Sequence, residues 1–141
     1  VLTPDPQLAR HISQLEGKRY VYTNGTVRHA EKVLEARGLT GLFDDLFGIE
    51  EAEYLPKPHR PGFDRFTQRY GLAPTRSAMF EDSVRNLETA AGMGFTTVLV
   101  RARSEERDEE SAGPGDHPEH VHYAIDCLTT FLGLVAGKEP R

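Results

Sequence analysis

The chain has 141 residues, the size of one domain, and its hydrophobic fraction of 38% is typical of a folded globular protein. A formal net charge of −5 without a basic cluster argues against a nucleic-acid polymer or an anionic membrane as the main partner. The only cysteine, Cys127, excludes an internal disulfide, and since neither a signal peptide nor a membrane-length apolar run is recognisable, we expect a cytoplasmic protein.

Apolar spacing and capping residues predict strands and helices that alternate along the chain. The first predicted helix begins at Asp5 and ends at Gly17, and the segment KRYVYTN that follows is typical of a strand. Next come a helix over TVRHAEKVLEARG, a short strand near LFGIEE, a helix from Pro61 to Gly71 and the strand SAMF. The remaining predicted elements are a helix over RNLETAAGMG, the strand TTVLV, a charged loop over residues 101–120, a strand near VHYAI and a helix over CLTTFLGLV.

Alternating strands and helices predict an α/β fold in which a doubly wound parallel sheet is covered by helices on both faces. Ligands of such folds bind at the carboxyl ends of the strands. Polar clusters follow three of the predicted strands, namely Thr23-Asn24-Gly25, Lys57, and the adjacent pair Glu81-Asp82. We therefore expect these three clusters to converge on one site.

Each cluster also has a purely structural interpretation. Asn-Gly is a common hairpin turn, although the helix predicted after Gly25 favours a phosphate site at a helix N-terminus. A lysine between two prolines, such as Lys57, is commonly a solvated loop charge. Asp82 or Ser83 could cap the next helix, but a cap does not explain Glu81, since adjacent carboxylates repel unless a cation lies between them.

Taken together and in order, these residues resemble the haloacid dehalogenase superfamily of phosphotransferases. The segment YTNG is similar to its second motif, the lysine of LPKP to its third and FEDSVRN to its fourth. The segments PDPQLARHISQLEGKRYVYTNG and SAMFEDSVRNLETAAGMGFTTVLV resemble in particular the pyrimidine 5′-nucleotidase branch. The resemblance implies a Rossmann-like core and Mg²⁺-dependent hydrolysis of nucleoside 5′-monophosphates through an aspartyl-phosphate intermediate.

The resemblance also implies a role for each cluster. Thr23 would donate its hydroxyl to the substrate phosphate, with amide donors at Asn24 and Gly25, and Lys57 would neutralise phosphate charge. Asp82 would ligate Mg²⁺, and Glu81 would do so directly or through water. Ser83 and Asn86 would orient the acids and the start of the helix.

The sequence departs from the family pattern at the nucleophile. The first motif, two aspartates one residue apart followed by a threonine, is missing, and neither FDDLF nor AIDCLTT replaces it. Since the chain also begins at Val1 without a methionine, we expect residues 1–141 to be the C-terminal core portion of a longer protein, without its nucleophile strand and cap domain. Because the nucleophile is missing, we expect the chain alone to be inactive. The absent strand would lie between the strands that end at Tyr22 and Phe80, so we also expect unpaired strand edges.

Other functions fit parts of the pattern. A phospho-receiver domain places its acids before its Thr and Lys, the reverse of the order here, and a metal-free dehalogenase does not explain Glu81 and Asp82. A phosphatase for another small metabolite and a non-catalytic binding or assembly module stay open. His120 and His122 in EHVHY could form a metal pair, or could simply belong to a half-exposed strand.

Overall fold

A computed structural model describes residues 2–101 and 118–126, together with Leu128 and Leu132. The chain divides into two compact units. Most of the first unit is Val1–Pro56, and the second unit is Lys57–Leu128. Each unit contains its own parallel strands, which confirms the predicted α/β class with parallel strand pairing.

The first unit alternates helices and strands in the predicted order. Its elements are α1 (Pro6–Ser13), β1 (Tyr20–Tyr22), α2 (Val27–Arg37) and β2 (Asp45–Phe47). The carboxylate of Asp5 accepts a hydrogen bond from the Leu8 N–H at 3.0 Å, which caps α1 where the sequence predicted its start. Gly38 ends α2 with a left-handed φ of 72°, a conformation that glycine adopts without steric cost.

The second unit contains a three-stranded sheet with two helices. Its elements are α3 (Arg60–Tyr70), a 3₁₀ turn (Pro74–Arg76), β3 (Ala78–Glu81), α4 (Val84–Met93), β4 (Thr96–Val100) and β5 (Tyr123–Ile125). The strand order is β3-β4-β5, and central β4 buries Thr97, Val98 and Leu99. A strand with three consecutive buried residues is typical of the middle of a parallel sheet.

The short strand predicted near LFGIEE is present as β2. It covers Asp45–Phe47, and the chain turns after it. The Gly48 N–H donates to the Glu51 carboxylate at 2.8 Å and the Ile49 N–H donates to the Gly25 carbonyl at 2.8 Å. Because these bonds engage donors that a ladder would use, the strand ends at Phe47.

Every strand except β4 has a single neighbour within the described part of the chain. β1 pairs only with β2, and β3 pairs only with β4. Most of the predicted loop 101–120 and most of the predicted helix CLTTFLGLV lie outside the described residues. None of the helices described in residues 2–101 and 118–126 has the length and apolar character that crossing a bilayer requires.

Candidate active site

The loop between β1 and α2 carries the first predicted cluster, in the first unit. The Thr23 hydroxyl oxygen accepts a hydrogen bond from the Gly25 N–H at 3.0 Å, and a hydroxyl that accepts in this way can still donate its own hydrogen. Thr26 caps α2 by accepting from the His29 N–H at 3.0 Å. Thr23, Asn24 and Gly25 therefore directly precede a helix N-terminus, where amide donors and the helix dipole favour an anion.

Gly48 holds this loop close to the end of β2. A Cβ at position 48 would lie 2.9 Å from both the Gly25 carbonyl oxygen and the Val27 nitrogen, so only glycine permits the approach. The Ile49 N–H donates to the same Gly25 carbonyl at 2.8 Å. Gly48 was not predicted as a site residue, although a glycine directly after a strand is a signal of close backbone approach.

The second unit brings Lys57 and Glu81 into a buried ion pair. The Lys57 ammonium lies 2.8 Å from a Glu81 carboxylate oxygen, and the two side chains are only 9% and 11% exposed. The Asn86 amide donates to the same oxygen at 3.3 Å. Thr89 was not predicted as a site residue, but its hydroxyl donates to the Pro58 carbonyl at 2.6 Å and connects the Lys57 loop to α4. Lys57 is therefore an ordered cation and not a solvated loop charge.

The two adjacent acids differ in their surroundings. Ser83 caps α4, since its hydroxyl accepts from the Asn86 N–H at 3.2 Å, and Asp82 is exposed beside it. Capping therefore belongs to Ser83 and does not account for Asp82. One carboxylate oxygen of Glu81 accepts hydrogen bonds from Lys57 and Asn86. The exposed carboxylate of Asp82 is the type of ligand that Mg²⁺ prefers.

The donor set fits a Mg²⁺ ion that keeps several waters. Within residues 2–101 and 118–126, no three His, Cys, Asp or Glu side chains are grouped closely enough to enclose a metal ion. Mg²⁺ is commonly held by one or two carboxylates together with water and substrate phosphate, so Asp82, with or without Glu81, satisfies that requirement.

The two histidines of EHVHY have structural partners. The Nδ1 atom of His122 accepts from the Thr97 N–H at 3.0 Å, and the Nε2 atom of His120 lies 2.9 Å from the Val84 carbonyl oxygen. One ring nitrogen of each histidine is thus occupied by backbone groups. These contacts favour the structural interpretation of the pair over a metal site.

Breaking the buried ion pair on one side is expected to be costly. In the complete protein, Lys57→Met should lower the free energy of unfolding by about 3 kcal/mol, because it leaves the Glu81 carboxylate buried without its cation. Urea unfolding measures this loss. The double variant Lys57→Met/Glu81→Gln should recover part of it, because no uncompensated charge remains.

The exposed pair Arg60–Asp64 supplies the control. Its side chains are 59% and 44% exposed, so Arg60→Met should cost less than about 1 kcal/mol. Equal losses for Lys57→Met and Arg60→Met would contradict the assignment of Lys57 and Glu81 as a buried, mutually dependent pair.

Comparison with known proteins identifies the family. A model of the haloacid dehalogenase-like hydrolase family matches residues 2–94. The chain therefore belongs to the haloacid dehalogenase-like hydrolases. It is 29% identical over 110 residues to enolase-phosphatase E1 of Xylella fastidiosa (strain 9a5c), an alignment that covers 73% of this chain and 44% of that protein. The chain thus spans less than half the length of this curated relative.

Solved structures share the fold at lower identity. L-2-haloacid dehalogenase from Xanthobacter autotrophicus has a TM-score of 0.72 and 21% identity, with 97% of this chain and 62% of that chain covered. The HAD-hydrolase YfnB from Bacillus subtilis, bound to magnesium, has a TM-score of 0.68 and 22% identity, with 91% and 53% covered. At these identities the likeness shows the fold alone.

Proposed function

We propose that the complete protein is a Mg²⁺-dependent phosphomonoester hydrolase that acts on pyrimidine nucleoside 5′-monophosphates. The observation that carries the proposal is the buried Lys57–Glu81 pair with exposed Asp82 at the carboxyl end of β3. A fixed cation next to an accessible carboxylate suits a reaction in which a dianionic phosphoryl group must be neutralised. The similarity to enolase-phosphatase E1 supports phosphate-ester hydrolysis as the reaction class.

Thr23, Asn24 and Gly25 are the proposed phosphate-binding residues. The Thr23 hydroxyl donates to a phosphate oxygen, and the amide groups at the start of α2 supply further donors. The Lys57 ammonium offsets the negative charge that a phosphate ester brings into the site. These groups bind and orient the phosphate, while the nucleophile is an aspartate that the 141 residues do not supply in the family's motif.

Asp82 is the proposed Mg²⁺ ligand, with Glu81 contributing directly or through water. The ion, when bound, supplies Lewis-acid stabilisation of charge on the phosphoryl oxygens. Glu81 has a second proposed role, because its hydrogen bonds with Lys57 and Asn86 keep the ammonium group in one position. Ser83 and Asn86 support this arrangement by starting α4 directly after the acids.

The substrate class has a direct test. The complete protein should release phosphate from UMP in the presence of Mg²⁺ with a higher kcat/KM than from a sugar phosphate such as ribose 5-phosphate. Phosphate release with each ester, with and without EDTA, measures the preference. Equal or better turnover of ribose 5-phosphate would reject the nucleotidase assignment in favour of a phosphatase for another small metabolite.

Two other outcomes would change the reaction class. Hydrolysis of 2-chloropropionate without metal would indicate a dehalogenase, and the absence of any hydrolysis by the complete protein would indicate a binding or assembly module. The exposed carboxylate of Asp82 beside the Lys57–Glu81 pair favours the phosphatase over both.

A further inference from the structure

The turn after β2 holds two residues in a backbone conformation that side chains disfavour. Glu53 and Tyr54 have φ angles of 55° and 64°, both in the left-handed region, and neither is glycine. Such conformations persist where surrounding contacts enforce them, and they occur preferentially at functional sites. Hydrogen bonds from the Glu53 N–H to the Glu50 carbonyl at 3.0 Å and from the Tyr54 N–H to the Ile49 carbonyl at 2.8 Å close this turn and hold both residues in the left-handed region.

Hydrogen bonds connect this turn to the proposed phosphate loop within the first unit. The Tyr54 N–H donates to the Ile49 carbonyl at 2.8 Å, and the Ile49 N–H donates to the Gly25 carbonyl at 2.8 Å. Ala52, between them, is only 1% exposed and anchors the turn in the core. Ile49 thus links the two backbones, because it accepts a hydrogen bond from Tyr54 and donates one to Gly25.

The strain does not serve to bury Tyr54. Its side chain is 68% exposed, the highest value among the large hydrophobic side chains described in residues 2–101 and 118–126. A tyrosine ring in the core would contribute stability by burial, but an exposed one does not. Tyr54 is therefore exposed at the surface although its backbone has an unfavourable left-handed conformation.

The backbone of Tyr54 lies near the phosphate loop. Two hydrogen bonds and the span of one residue place the Tyr54 nitrogen within about 9 Å of the Gly25 carbonyl oxygen. A tyrosine side chain extends over much of that distance. In a nucleoside 5′-monophosphate one sugar lies between the phosphorus and the base, so the distance between them is similar to that between Gly25 and Tyr54.

We propose that Tyr54 is a specificity-determining residue whose ring stacks on the base of the leaving nucleoside. This inference rests on the proposed function, because it requires a phosphate ester held at Thr23 and Gly25. Aromatic side chains bind bases through their flat faces with little dependence on base identity. Glu50 and Glu53 are exposed on the same turn, and their negative charge favours an uncharged leaving group over one that carries further phosphates.

Steady-state kinetics of the complete protein test the proposal. For Tyr54→Ala, the ratio of kcat/KM for UMP to kcat/KM for ribose 5-phosphate should fall about tenfold, and uridine should inhibit about tenfold more weakly. Tyr54→Phe keeps a flat ring and should retain the wild-type ratio. Tyr123→Ala removes another exposed tyrosine, 55% exposed on β5 of the second unit, and should leave both quantities unchanged.

The outcomes separate this inference from the proposed function. If the wild-type protein hydrolyses phosphate esters but Tyr54→Ala leaves the UMP to ribose 5-phosphate ratio unchanged, the stacking role is wrong and the phosphatase assignment stands. If the ratio of kcat/KM for UMP to kcat/KM for ribose 5-phosphate also falls in Tyr54→Phe, the effect comes from the hydroxyl group and the stacking role is wrong. If the wild-type protein hydrolyses no phosphomonoester, both proposals are wrong.

Discussion

Asp82→Asn in the complete protein is expected to lower phosphatase activity by about 10³ and to weaken Mg²⁺ binding while the fold persists. The amide keeps the shape of the side chain but removes the negative charge that holds the cation. Asp82 is exposed, and Ser83 caps the helix that follows it, so the substitution leaves the start of α4 intact. Phosphate release, Mg²⁺ titration and thermal unfolding measure the three parts of this prediction.

A matched control lies on α4, the helix that follows Asp82. Glu88 is also an exposed acid, so Glu88→Gln changes the net charge equally and should retain activity and Mg²⁺ dependence. Full activity of Asp82→Asn in the presence of EDTA would remove Asp82 from the metal site. Equal losses in both variants would mean that the effect comes from overall charge and not from a ligand.

The second large effect concerns the 141-residue chain by itself, which we expect to show no Mg²⁺-dependent phosphatase activity. Thr23, Lys57 and Asp82 can position a phosphate and a metal, but formation of an aspartyl-phosphate needs a carboxylate nucleophile and a second carboxylate to exchange protons with the leaving group. The family's motif that carries both is not among the 141 residues. The expected rate is that of the uncatalysed reaction.

The strand arrangement predicts a second property of the isolated chain. Within the described residues β1 and β3 each pair on one side only, and a strand edge with unpaired backbone groups tends to associate with another chain. Phe80 on β3 is 39% exposed, which adds apolar surface to that edge. We therefore expect the isolated chain to be unstable or self-associating.

Complementation tests both properties together. A segment that carries the first motif, added in trans, should restore a monodisperse complex and p-nitrophenyl phosphate hydrolysis. Size-exclusion chromatography and the rate of p-nitrophenol release are the measurements, and the same segment with its first aspartate changed to asparagine is the control. Robust Mg²⁺-dependent hydrolysis by the purified 141-residue chain would show that the nucleophile lies within it.

Local sequence signals were sufficient where near neighbours determine the backbone. Asp5 caps α1, Gly38 ends α2 and Gly71 ends α3, and each was predicted because capping and left-handed turns depend on residues within one helical turn. The alternating pattern likewise gave the α/β class and the parallel strands. The order of Thr23, Lys57 and Asp82 gave the family resemblance, which the family match confirms.

Other features depend on residues far apart in the sequence, and only the tertiary structure decided them. Glu81 was expected as a metal ligand, which stays a prediction, but its observed partner is Lys57, 24 positions earlier. No local rule pairs them, because the contact depends on how the Lys57 loop packs against β3 and α4. The strand predicted near LFGIEE ends at Phe47 for a similar reason, since Gly25 accepts the Ile49 N–H.

The sequence by itself therefore determined which residues stand at the ends of which strands, and hence the family and the type of chemistry. The tertiary structure decided which of those side chains are buried, which are paired and which are exposed. The reason is physical: helix caps and turns form through contacts between near neighbours, whereas burial and ion pairing arise only when distant segments pack together. The burial of Lys57 against Glu81 is a property of that packing.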